Sequence, residues 1–200
     1  MAQGTHAEIE LKFHLADPQP IRDKLLALGF ESHGQVFEVN VVLDTPALDL
    51  AAGSRLLRLR RDKTVRLTYK EPHADLELGL RFKAKQESEL ELADLETMRH
   101  ILHRLGFTAE RVYEKYREHF TRPDGASAEL DRLPHMGCFL ELEADPQRIE
   151  SLAAELGLAL IDGLRENYFA LFVTYCRRTG LATRDMKFED EKKPEPLRGE

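Results

Sequence analysis

Residues Ala7 to Leu15 read A-E-I-E-L-K-F-H-L. In extended backbone successive side chains point to opposite faces, so Glu8, Glu10, Lys12 and His14 share one face while Ile9, Leu11, Phe13 and Leu15 share the other. An ordinary half-buried strand also has one apolar face, but its polar face draws on Thr, Ser, Gln and Tyr as well as charges. Here the polar face is ionisable throughout. Adjacent carboxylates on one face can hold a hard cation, and the same alternation by itself also describes a solvated strand. The choice turns on whether other strands repeat it.

They do. In Arg55–Arg61, Arg58 and Arg60 lie opposite Leu57 and Leu59; in Thr64–Lys70, Arg66, Thr68 and Lys70 lie opposite Val65, Leu67 and Tyr69. Arg111–His119 puts Lys115 and Arg117 on one face with Tyr113 and His119. The acids form matching rows: Lys85, Glu87, Glu89 and Glu91; Glu129 and Asp131; Glu141 and Glu143, the last pair in C-F-L-E-L-E. Arg61, Arg66 and Glu91 are read as surface residues.

The punctuation of the chain predicts the remaining elements. Pro18–Leu28 reads as a helix stopped at Gly29, and the same Leu-Gly-apolar ending closes Asp94–Leu105 and Gln147–Leu156. Leu164–Arg178 carries apolar residues at helical spacing and reads as a closing helix. Strand patterns cover Val36–Asp44, Arg55–Arg61, Thr64–Lys70, Leu80–Leu92, Arg111–Phe120, Ser127–Asp131 and Cys138–Glu143, which with the opening stretch makes about eight strands. So many short neighbouring strands predict a mainly antiparallel β (α+β) closed barrel with helices packed outside or across its ends. One domain, 1–178, is followed by a charged tail, 179–200, expected to be mobile.

Composition sets limits. The chain of 200 residues has 36 acids against 29 bases, a net charge of -7, so it has no global attraction to nucleic acid or to an anionic membrane. Its two cysteines have no metal-like spacing, no signal-peptide pattern opens the chain, and no apolar run is long enough to span a bilayer; the expectation is a cytoplasmic protein, monomer or homodimer.

If the charged rows face inward, each charge must be paired or solvated, because burying it alone is prohibitive. A small molecule carrying a triphosphate together with divalent cations satisfies both signs: the bases take the phosphates and the acids take the metals. Oxygen-only donors favour Mg²⁺ or Mn²⁺ over zinc. Against this stand a non-catalytic nucleotide- or polyphosphate-binding module and a purely structural barrel. A glycosidase, the other use of paired carboxylates, leaves the rows of bases without a role.

In their order along the chain these motifs resemble the CYTH superfamily, or triphosphate tunnel metalloenzymes: E-x-E-x-K at Glu8, Glu10 and Lys12, L-D-T at Leu43–Thr45, L-R-L-R at Leu57–Arg60, T-Y-K at Thr68–Lys70, E-K-Y-R at Glu114–Arg117, L-D at Leu130–Asp131 and G-C-F-L-E-L-E at Gly137–Glu143. The resemblance implies an eight-stranded tunnel with metals held by Glu8, Glu10, Asp131, Glu141 and Glu143. It implies catalytic roles for Glu8, Glu10, Lys12 and Lys70, and substrate contacts from Arg58, Arg60, Lys85, Lys115 and Arg117 together with the acids Glu87 and Glu89. Where the family has an arginine before that acidic pair this chain has Lys85, a point charge in place of a bidentate fork. The family's closing S-Y is Asn167–Tyr168 here. The implied activity is hydrolysis of tripolyphosphate, thiamine triphosphate or a nucleoside triphosphate, with cyclisation of ATP to cyclic AMP as the alternative.

Overall fold

The computed structural model describes residues 4–189. Strands β1 (Thr5–Leu15), β2 (Glu31–Asp44), β3 (Leu56–Arg61), β4 (Val65–Pro72), β5 (Lys83–Leu92), β6 (Ala109–Thr121), β7 (Ser127–Leu133) and β8 (Gly137–Glu143) close into an antiparallel barrel in the order β1-β5-β4-β3-β2-β6-β7-β8. Helices α1 (Gln19–Ala27), α4 (Leu95–Arg104) and α5 (Pro146–Leu156) follow β1, β5 and β8 directly. Two short helices, α2 (Asp49–Ala52) and α3 (Leu76–Arg81), join neighbouring strands, and α6 (Tyr168–Thr179) comes last.

The barrel is apolar outside and charged inside, because the apolar rows need cover and the helices supply it. Leu11, Phe13, Leu15, Leu140 and Leu142 on the outer faces of β1 and β8 pack against Ile21 and Leu25 of α1 and Ile149 and Leu152 of α5. On the far side Val41, Leu43, Leu57 and Leu59 pack against Leu50 of α2 and Leu95 and Leu102 of α4. Removing this much aliphatic surface from water supplies the main driving force for closure. Side chains Asp94, Asp145 and Asn167 cap α4, α5 and α6 by accepting from the backbone N–H three residues on.

A third apolar cluster lies at one end of the bore. Tyr113, Leu133 and Phe139 sit on the inner rows of β6, β7 and β8, and Tyr168 and Phe172 of α6 pack against them. The expected tunnel is therefore closed at this end. The expected strand Leu80–Leu92 begins only at Lys83, since Leu76–Arg81 forms α3. The expected tail is also partly docked: Met186 is fully buried, its N–H donates to the Val112 carbonyl and its carbonyl accepts from the Glu114 N–H. This strap lays Phe188 beside Tyr116 and Phe37. Residues 190–200 lie outside the described residues.

Candidate active site

Register brings the charged rows together. Antiparallel pairing sets Lys12 opposite Glu141, Glu10 opposite Glu143 and Arg117 opposite Asp131, and β3 pairing sets Arg60 opposite Asn40. Glu8, Glu10, Lys12, Arg58, Arg60, Lys70, Glu87, Glu89, Lys115, Asp131 and Glu141 are all buried, so the rows face one another across the bore and not the solvent.

The charges are paired in detail. Lys12 donates to Glu141 and, at 3.2 Å, to Glu10. Lys70 reaches both Glu8 and Glu87 at 2.5 Å. Asp131 accepts from Lys115 at 3.0 Å, from Arg117 at 2.6–2.7 Å and from the Tyr168 hydroxyl at 2.7 Å. Glu89 accepts from the Thr68 hydroxyl at 2.8 Å. The Tyr168 ring lies under the Lys12 ammonium, 4.4 Å from the ring centroid, so the closing helix touches both signs of charge.

Arg58 differs from its neighbours. Its guanidinium donates to the Tyr113 hydroxyl at 3.2 Å and the Thr68 hydroxyl at 3.3 Å, and among the described residues no carboxylate lies within ion-pairing distance. Its Nε is buried with no partner. A buried cation with an unused donor is a place prepared for an anion.

Titration follows the pairing. Burial raises Glu10, but Lys83 and Lys12 more than offset it and bring its pKa to about 2. Burial likewise acts against Glu141, and Lys12, Arg117 and Lys115 hold it well below the usual carboxylate range. Glu143 goes the other way: burial, then the neighbouring Glu129, Glu8 and Glu10, push it up to about 8. This corner of the bore carries more negative charge than its lysines compensate. The donor set is all oxygen and suits a hard cation, with Glu8, Glu10, Glu141 and Glu143 as its holders. Among the described residues no three such side chains converge as they stand, and Lys12, Lys70 and Lys83 pair with Glu141, Glu8 and Glu10. Asp131 is wrapped by Lys115, Arg117 and Tyr168, and Glu141 likewise accepts from both Lys12 and Arg117.

Two placements differ from the sequence reading. Lys85 does not line the depth of the bore; it is half-buried and donates to the Ser54 carbonyl, while Lys83, two residues earlier in the same row, reaches Glu10 at 2.7 Å. Arg66, read as a surface residue, is half-buried, pairs with Asp62 and approaches Glu89 at 3.8 Å. Glu38 and Asn40 were missed. Glu38 lies 3.4 Å from Arg60 and 3.6 Å from Lys115, and Asn40 accepts from Arg60 at 3.0 Å. Their signal was the alternation in F-E-V-N-V at Phe37–Val41.

Residues 6–162 match the CYTH domain model. The chain belongs to the CYTH family. A Methanocaldococcus jannaschii protein named as a candidate adenylate cyclase is 31% identical over 68% of this chain and 75% of its own length. A Pyrococcus horikoshii structure superposes with a TM-score of 0.67 at 27% identity, covering 82% of this chain and 98% of that one. A Hippeastrum structure, whose description assigns that protein a dominant triphosphatase activity, shares the CYTH fold at a TM-score of 0.55 and 19% identity, covering 84% and 96%. Two CYTH motif positions now have structural explanations. Asp44 of L-D-T accepts from the backbone N–H groups of Thr45, Leu50 and Ala51 and so holds α2. Asn167 caps α6, a task that serine, its counterpart in the closing motif, performs equally well.

Proposed function

We propose that the bore takes a triphosphate and that this chain transfers its terminal phosphoryl group to water, giving orthophosphate and the diphosphate. The observation that carries this reading is Arg58, a buried guanidinium held by two hydroxyls with no described carboxylate in reach. Around it Lys12, Arg60, Lys70, Lys115 and Arg117 each pair with acids of the same bore. Before substrate enters, these five cations are paired within the bore; entry of a polyanion with its cation lets them exchange partners and gives Arg58 the anion it lacks.

Glu8, Glu10, Glu141 and Glu143 would hold Mg²⁺ or Mn²⁺, which when bound supplies Lewis-acid neutralisation of phosphate charge. The chain's own groups do the rest. Arg58, Arg60 and Arg117 grip non-bridging oxygens, and Lys12, Lys70 and Lys115 stabilise the charge that spreads over the transferring group in the loose transition state. Tyr168 fixes Asp131, and Asp131 aims Arg117 and Lys115. Water attacks in line, and the diphosphate leaves with its charge already met by the same cations.

The setting is a reducing compartment, the cytoplasm, which accords with unbridged Cys138 and Cys176. The Methanocaldococcus relative motivates one competing reading, cyclisation of ATP. The test incubates the protein with tripolyphosphate, thiamine triphosphate or ATP plus Mg²⁺ or Mn²⁺ and separates the products. Orthophosphate with the diphosphate is expected; cyclic AMP with pyrophosphate would overturn hydrolysis in favour of cyclisation.

A further inference from the structure

The inner row of β6 runs from the floor of the bore to its mouth. Tyr113 lies in the apolar plug, and side-chain exposure then rises from 2% at Lys115 to 14% at Arg117 and 42% at His119. The opposite end is blocked by Leu133, Phe139, Tyr168 and Phe172. A triphosphate drawn in by the buried cations must therefore leave any organic substituent at the His119 end.

Two imidazoles stand there. His33 lies on the β2 irregularity between Ser32 and Gln35, where Gly34 takes a φ of +77°, and its ring stacks on His119 with centroids 5.4 Å apart and planes 28° from parallel. Both rings are pinned. His33 Nε2 lies 2.6 Å from the Thr121 hydroxyl, and His119 Nδ1 lies 3.0 Å from Glu129, which also accepts from Ser127 at 3.4 Å. Neither ring belongs to an apolar core cluster, and His33 is exposed. Planar rings fixed before binding offer a stacking face at little ordering cost.

We propose that the His33–His119 pair is a specificity platform that stacks an aromatic heterocycle on the end of the substrate, so that the protein selects a heterocyclic triphosphate over inorganic tripolyphosphate. This rests on the triphosphate reading above and adds the class of its organic end. The platform acts on the substrate's free end, so its contribution falls on KM.

The test compares kcat/KM for ATP, thiamine triphosphate and tripolyphosphate in the full chain and in His33→Ala, His119→Ala and His33→Phe. The unaltered protein is expected to favour ATP or thiamine triphosphate over tripolyphosphate. Each alanine change lowers that ratio roughly tenfold, the size of one lost base-stacking contact, mainly through KM, and His33→Phe restores it. An unchanged ratio in both alanine variants, or a native preference for tripolyphosphate, overturns the platform while leaving triphosphate hydrolysis standing. Failure to turn over any of the substrates sinks the phosphoryl-transfer reading, and the platform with it.

Discussion

Neighbouring cations in this bore differ in what they do for the folded state. Lys12 neutralises Glu10 and Glu141 and is 1% exposed, so Lys12→Met leaves two buried carboxylates short of a partner and should cost roughly 3–5 kcal/mol, read as a fall in Tm. Arg58 has no described carboxylate partner, so Arg58→Met should cost much less stability. It should nevertheless lower kcat/KM for a triphosphate by on the order of a hundredfold, through loss of a charge-assisted phosphate contact from a buried cation. Equal loss of Tm in the two variants would contradict this division. Glu143 gives a pH signature. Its folded pKa of about 8 lies above its ordinary 4.5, so the fold favours the protonated acid. That contribution is fully present below pH 4.5 and is lost as pH rises to about 8. In chelator, Tm should decline across this window, and Glu143→Gln should reduce the decline, with Glu8, also raised by burial, contributing the remainder.

At the scale of elements, α6 and the strap behind it finish the barrel. The Phe172 ring is buried against Tyr113, Phe139 and Met136, so Phe172→Ala should cost about 3–5 kcal/mol and loosen Tyr168 from Asp131. Met186 is buried and bridges the Val112 and Glu114 backbone, so ending the chain after Thr179 should lower Tm by several degrees. An unchanged melting curve in that truncation would show the strap to be dispensable. The Leu-Gly endings at Leu28–Gly29, Leu105–Gly106 and Leu156–Gly157 were legible because each glycine takes a positive φ that other residues resist. Helix α3 was not legible: its L-E-L-G-L-R has strand-like alternation, and only the barrel's closure decides which residues can pair.

For the molecule as a whole, the paired bore makes activity conditional on a divalent cation. Chelation should abolish turnover and added Mg²⁺ or Mn²⁺ restore it, measured as orthophosphate release; activity that persists in chelator would remove the carboxylates' assigned task. No helix among the described residues is long and apolar enough to cross a membrane.

Strict alternation let the sequence alone determine which faces are apolar and which are ionisable, because a strand's side-chain period is fixed at two. Glu8, Glu10, Lys12, Arg58, Lys70, Arg117 and Glu141 were identifiable on that ground before any contact was known. Only the tertiary structure decided the partners: that Lys83 and not Lys85 meets Glu10, that Glu38 joins Arg60 and Lys115, that α6 blocks one end and that His33 meets His119 at the other. Those depend on the stagger between strands far apart in the chain, and stagger is set by closure of the whole barrel, which no local pattern encodes.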